Sequence, residues 1–196
     1  MSDMAAPISE QVRLRPISVV EYHRMAEANI LGPDERVELL NGRIIEMPPI
    51  GPDHAYTVTA LDELLRARFH GRAVVRAQQP LTLDSLSEPE PDLVLARGPS
   101  VRYKSAHPTA VDTLLVIEVS HSSLPTDRGE KLAAYARSGV REYWIVDIVG
   151  EVVEQHTDPA GPLFRSHRIF HRGERIAPTA FRADAIAIEE ILGTTA

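Results

Sequence analysis

Residues 114–147 read LLVIEVSHSSLPTDRGEKLAAYARSGVREYWIVD, and this stretch decides the fold. Four consecutive apolar residues, Leu114 to Ile117, precede Glu118, so 113–120 reads as a buried strand. Thr126 or Asp127 is the expected start of a helix carrying Lys131, Tyr135 and Ala136. Gly139 then stands where a C-cap glycine belongs. A second strand is expected over 142–149, with Gly150 opening a turn into 151–156.

Upstream, Ser18 with Glu21 three positions on forms the capping-box signature of a short helix. Asn41-Gly42 between 37–40 and 43–47 is the commonest pair for a tight hairpin. Asp53 is the expected N-cap of a helix over 54–69. Strands are expected at 73–77, 79–83 and 92–96, with a loop rich in basic residues at 97–108. Downstream come a turn at 158–162, a hairpin partner at 163–170, a docking segment at 176–188 and a short helix at 186–192. The pattern predicts a mixed α/β (α+β) fold with strands concentrated after an early helix. No internal repeat is visible, so the division is a leader at 1–15, one domain at 16–192 and a tail at 193–196.

The 196 residues include no cysteine, which excludes disulfides, thiolate nucleophiles and Cys-ligated zinc. The first 16 residues show no basic region followed by an apolar run, and LLVI is far too short to cross a bilayer. A cytoplasmic protein with no membrane partner is the expectation. The 28 acidic residues against 21 Lys and Arg give a formal charge of −7, which argues against tight binding to nucleic acid by charge alone.

Three side chains stand out for chemistry. Asp92 opens a strand directly after Glu90-Pro91, and Glu118 ends the strongest apolar run. Charges there are costly unless paired, hydrogen-bonded or metal-bound. If the two strands are neighbours, both carboxylates reach one divalent cation at about 2.0–2.4 Å, and hard oxygen donors favour Mg²⁺ or Mn²⁺. Lys131 beside them can neutralise charge growing on phosphate oxygens. Glu38 is a candidate outer ligand. Structural roles compete at each position: Asp92 as a turn cap, Glu118 paired with Arg128 or Arg141, and Lys131 in a surface ion pair with Asp127 four residues earlier. Tyr135, Tyr143 and Trp144 read as core.

The segments ELLNGRIIEMPPIGPDH (38–54), EPDLVL (90–95) and 114–147 resemble the bacterial "putative restriction endonuclease" family, long filed as a domain of unknown function, within the PD-(D/E)XK nuclease superfamily. The resemblance spans about residues 16–192. It implies a restriction endonuclease-like core, a central mixed sheet flanked by helices, with a divalent metal at the sheet edge. Pro91-Asp92 matches the Pro-Asp element, and Glu118-Val119-Ser120 falls where Glu-x-Lys would stand. Ser120 departs from that pattern, and the resemblance implies that Lys131 supplies the missing lysine. Glu38 and His54 match the family's acidic and helix-start positions, Gln79 falls in the central hairpin within expected reach of the site, and His54, Gln79, Ser120 and Asp127 are the accessory candidates.

The leading expectation is therefore an Mg²⁺- or Mn²⁺-dependent endonuclease that leaves 3′-hydroxyl and 5′-phosphate ends on DNA. Asp92 and Glu118 would hold the metal and Lys131 would be the catalytic lysine. Arg97, Arg102, Lys104, Arg128 and Arg141 are candidate phosphate contacts. A homodimer would serve to cut both strands. The alternatives are a binding or regulatory protein that lost cleavage, marked by a close Asp127–Lys131 pair, and a hydrolase of RNA or small phosphate esters, marked by a narrow acidic pocket.

Overall fold

The computed structural model describes residues 14–193, so the expected leader lies mostly outside the described residues, and of the tail only Gly193 is described. Helix α1, Val19–Glu27, carries the expected capping box, with Ser18 and Glu21 bonded reciprocally. Strands β1 (Val37–Leu40) and β2 (Arg43–Glu46) form the expected hairpin around Asn41-Gly42. Both turn residues have positive φ, +53° and +72°, as a type I′ turn requires.

Gly42 serves a second purpose. A Cβ there would lie 2.4 Å from the Cβ of Pro16, while its N–H donates to Leu86 and its carbonyl accepts from Ile17. Gly42→Ala would meet both left-handed strain and backbone collision, and is expected to cost about 2–3 kcal/mol. A urea midpoint unchanged from wild type would contradict this.

Helix α2 runs Pro52–Phe69 and begins two residues earlier than expected. Pro52 sits in the first turn, where its missing N–H costs nothing, so Gly51 is the N-cap and Asp53 lies inside the helix. Strand β3 is Val74–Ala77 and β4 is Leu93–Ala96. The strand expected at 79–83 does not form. Gln78 has φ +48°, Pro80 lacks a donor, and successive amides go to different segments: Leu81 to Pro89, Thr82 to Pro108 and Leu83 to Ser87.

Strand β5, Thr113–Ser120, leads into a helical stretch of three parts: α3 (Leu124–Thr126), a π turn (Asp127–Lys131) and α4 (Leu132–Arg137). It starts before the expected Thr126 because Pro125 occupies its first turn. Strand β6 is Glu142–Asp147, followed by β7 (Val152–Ala160), β8 (Leu163–His171), the short β9 (Arg175–Ile176) and β10 (Ile186–Ala187), and helix α5 (Ile188–Leu192). The turn expected from 158 therefore comes later, β7 continuing to Ala160, and the last helix starts two residues after its expected Ile186.

Strands β3 to β8 form one six-stranded sheet in sequence order, with β5 and β6 parallel and every other pair antiparallel. The parallel pair requires a crossover, which the helical stretch 124–137 supplies. Because side chains alternate across a sheet, β5 presents Ile117 and Val119 to one side and Val116 and Glu118 to the other. The first side packs on Val58, Leu61, Leu65 and Phe69 of α2 and on Ile188 and Ile191 of α5. The second packs Val94, Val116, Tyr143 and Ile145 against Tyr135 and Val140. Glu118 thus lies on the face covered by the crossover helix. Among the described residues, no helix is long and apolar enough to cross a membrane.

Candidate metal and active site

Glu118 is 3% exposed at the end of β5, in line with the apolar residues of its face. Its Oε1 accepts from Lys131 Nζ at 3.0 Å and from the Tyr135 hydroxyl at 2.7 Å. Lys131 closes the π turn, is itself buried, and also lies 3.2 Å from Glu38 Oε1 of the hairpin. Glu38 Oε2 in turn accepts from the Glu90 N–H at 3.1 Å. Asp92 immediately precedes β4, the neighbour of β5. Its Oδ2 accepts from the Val119 N–H at 2.9 Å and contacts His54 Nε2, in the first turn of α2, at 3.1 Å.

Four elements distant in sequence therefore bring Asp92, Glu118, Lys131 and Glu38 together, with His54 beside them. They line a cavity of about 500 Å³ that also receives Glu90 and Asp127. Lys131 pairs with Glu118 and Glu38, and Asp127 instead accepts from Ser120 and Ser123, each at 2.6 Å. Neither the surface pair Asp127–Lys131 nor a pairing of Glu118 with Arg128 or Arg141 is formed among the described residues. Ser120 holds Asp127. Gln79 is exposed and does not reach the site; its neighbour Gln78 does, 3.4 Å from Asp92 Oδ1. The left-handed φ of Gln78 ends β3 and puts position 78 at the site, a backbone feature that residue type alone does not signal.

Two further groups escaped the sequence reading. Tyr135 is buried, as expected of a core residue, but its hydroxyl serves Glu118; its spacing of four from Lys131 on a helix was the available signal. Glu90 contributes both an N–H and a cavity-lining carboxyl. None of Arg97, Arg102, Lys104, Arg128 and Arg141 lines this cavity, and Arg36 is the basic residue that joins Lys131 there. Arg102 is paired with Asp112, and Arg128 with Asp147 and Glu154.

The electrostatics follow from crowding five carboxyls into a buried place. Burial pushes the Glu118 carboxyl up to about 8, opposed by Lys131 and reinforced by Asp127, Asp92 and Glu38. Burial likewise raises Asp127 and Glu90. For Lys131, burial favours the neutral amine, but Glu118, Glu38 and Asp127 outweigh it and the ammonium is retained. His54 is raised by its hydrogen bond to Asp92. Its Nδ1 is buried without a partner among the described residues.

This donor set fits a divalent cation. Among the described residues, Asp92 Oδ1 and Glu118 Oε2 have only long contacts of 3.4 Å, to Gln78 and to the Asp92 N–H, so each carboxylate retains an oxygen for a ligand. The acidic excess supplies the attraction, and oxygen donors suit a hard ion. Taken alone, Glu118 favours folding fully below its ordinary value of 4.5, and that contribution is lost as pH rises through about 8. A cation binding the ionised form displaces this proton. If a divalent cation binds there, its affinity is expected to rise up to about tenfold per pH unit below the Glu118 midpoint and to level off above it. Calorimetry in two buffers of different ionisation enthalpy checks the proton release; an affinity flat from pH 6 to pH 8 would contradict it.

A family model described as "Putative restriction endonuclease" (Uma2) matches residues 19–189. Among solved structures, the chain is similar to a putative nuclease belonging to DUF820 from Anabaena variabilis ATCC 29413, with TM-score 0.72 at 13% identity. That likeness covers 90% of this chain and 98% of the other. No curated protein matches.

Proposed function

The chain belongs to the Uma2 family of the PD-(D/E)XK nuclease superfamily, and on that premise we propose that it is a metal-dependent endonuclease hydrolysing DNA phosphodiesters. The domain at 16–192 carries the activity, with Asp92 and Glu118 holding Mg²⁺ or Mn²⁺ and Lys131 as the catalytic lysine. One observation carries the reading. Lys131 Nζ, delivered from the crossover helix, lies 3.0 Å from Glu118, so a lysine reaches the carboxylate pair although Ser120 occupies the usual lysine position.

A divalent ion held there would lower the pKa of water and screen the charge of the phosphate. The chain's own groups do the rest. The Val119 N–H and His54 fix the Asp92 carboxylate. Tyr135 and Lys131 fix one oxygen of Glu118 and leave the other facing the Asp92 backbone. Glu38 also holds the ammonium of Lys131, at 3.2 Å, so the positive charge is in place before substrate arrives.

Incubation with supercoiled plasmid in Mg²⁺ and Mn²⁺ tests the proposal. Nicked and linear products bearing 5′-phosphate and 3′-hydroxyl ends, resealable by ligase, are expected. Cutting by two copies of the chain belongs to the same proposal, and light scattering with DNA present tests it.

A second reading has its own support. The cavity is lined by Glu38, Glu90, Asp92, Glu118 and Asp127, and none of the five candidate phosphate contacts lines it, which favours a hydrolase of RNA or small phosphodiesters over one that grips a duplex. Turnover of single-stranded RNA or an activated phosphodiester, with plasmid untouched, would select it.

A further inference from the structure

We propose that Glu154, His156 and His167 form a second metal site, taking a divalent transition-metal ion of the zinc class. It is distinct from the carboxylate site. Glu154 and His156 alternate on β7, so their side chains share one sheet face, and His167 on β8 is the cross-strand partner of His156. The register runs Glu118 to Ile145 to Glu154 across β5, β6 and β7, which places the cluster two strands, about 10 Å, from the catalytic carboxylate on the same face.

Three ligand atoms converge. Glu154 Oε2 is 3.3 Å from His156 Nε2 and 3.2 Å from His167 Nε2, and all three lie within 4.8 Å of one another. Ligands bonded at 2.0–2.1 Å in a tetrahedron stand about 3.3 Å apart, so both nitrogen–oxygen edges already have the length an ion requires. Glu154 and His156 are buried, and Arg128 donates from Nε to Glu154 Oε1 at 2.7 Å. That contact locks the carboxylate and leaves Oε2 to the histidines, as an outer partner orients a metal ligand.

The two imidazole rings are stacked, 4.3 Å apart and within 4° of parallel. Two rings holding one ion cannot remain parallel and offset, because the ion must lie in both planes. His167, 45% exposed on the sheet's edge strand, is the ring free to turn toward it. Two imidazoles and one carboxylate suit Zn²⁺ and its neighbours and not Mg²⁺, so the two sites select different ions. Arg128 also links them in the chain, lying next to Asp127 and three residues before Lys131.

The test uses the full chain without a histidine tag, titrated with Co²⁺ in excess Mg²⁺ and followed by visible ligand-field absorption. One equivalent of Co²⁺, displaced by one equivalent of Zn²⁺, is expected for wild type and equally for Asp92→Asn. His167→Ala and His167→Gln, at an exposed position, should fold normally by circular dichroism and weaken Co²⁺ binding by about 100-fold or more. Absence of a saturable signal in wild type, or affinity in the folded His167 variants within a few-fold of wild type, would overturn the proposal.

Discussion

Replacing Lys131 by methionine is expected to lower metal-dependent cleavage by about 10²–10³-fold, the range seen when a preorganised electrostatic donor is removed from a reacting centre. Methionine keeps the unbranched stem that fills the buried space and removes only the ammonium. Its loss exposes Glu118 and Glu38 to each other without the cation between them. Removing one partner of a buried pair costs about 3–5 kcal/mol, and the proton that burial already favours on Glu118 offsets part of that. A structural role alone would also destabilise the protein, so stability cannot separate the two. The separation comes from added ion. Mn²⁺ should raise the Tm of the methionine variant by more than it raises that of wild type, because it now neutralises carboxylates that Lys131 served, while cleavage stays low. Activity within about twofold of wild type in the folded variant would remove Lys131 from the chemistry.

Asp92→Asn is expected to abolish cleavage, with a loss beyond about 10³-fold, and to weaken Mg²⁺ and Mn²⁺ binding together. The amide oxygen of asparagine still accepts from the Val119 N–H, so the junction between β4 and β5 is preserved. What disappears is one negative charge from a place where Glu118, Asp127 and Glu90 are already raised by burial. The metal-free variant should therefore be as stable as wild type or more so, the usual relation between a charged site and its scaffold. A thermal melt and a plasmid assay on the same preparation decide this. A clear fall in the metal-free Tm, with cleavage intact, would make Asp92 a fold residue.

Much of this arrangement is legible in residue order. Ser18 with Glu21 and Asn41 with Gly42 are local chemistry, each completed within four residues, so their motifs hold in the fold. The run before Glu118 reads as a buried strand because four consecutive apolar residues suit a strand covered on both faces, and β5 is that strand. The strand expected around Gln79 does not form because pairing there is decided by distant partners: Pro89, Pro108 and Ser87 share out the amides of 81–83. The choice for Lys131 between Asp127 and Glu118 was equally closed to sequence. Asp127 at i−4 is the helical neighbour by spacing, yet the stretch is a π turn whose two ends both face the sheet. Ser120 and Ser123 then satisfy Asp127, which leaves Lys131 to the longer-range acids. Single-turn π segments are frequent at functional sites, and this one aims two buried charges at one cavity.

Diffraction from a crystal soaked in Mn²⁺, read at the manganese absorption edge, tests the central claim most directly. The account predicts an anomalous peak within about 2.0–2.4 Å of one oxygen each of Asp92 and Glu118, with Lys131 Nζ still beside Glu118. A fully soaked crystal with no peak between those carboxylates, or with manganese only at Glu154, His156 and His167, would contradict it.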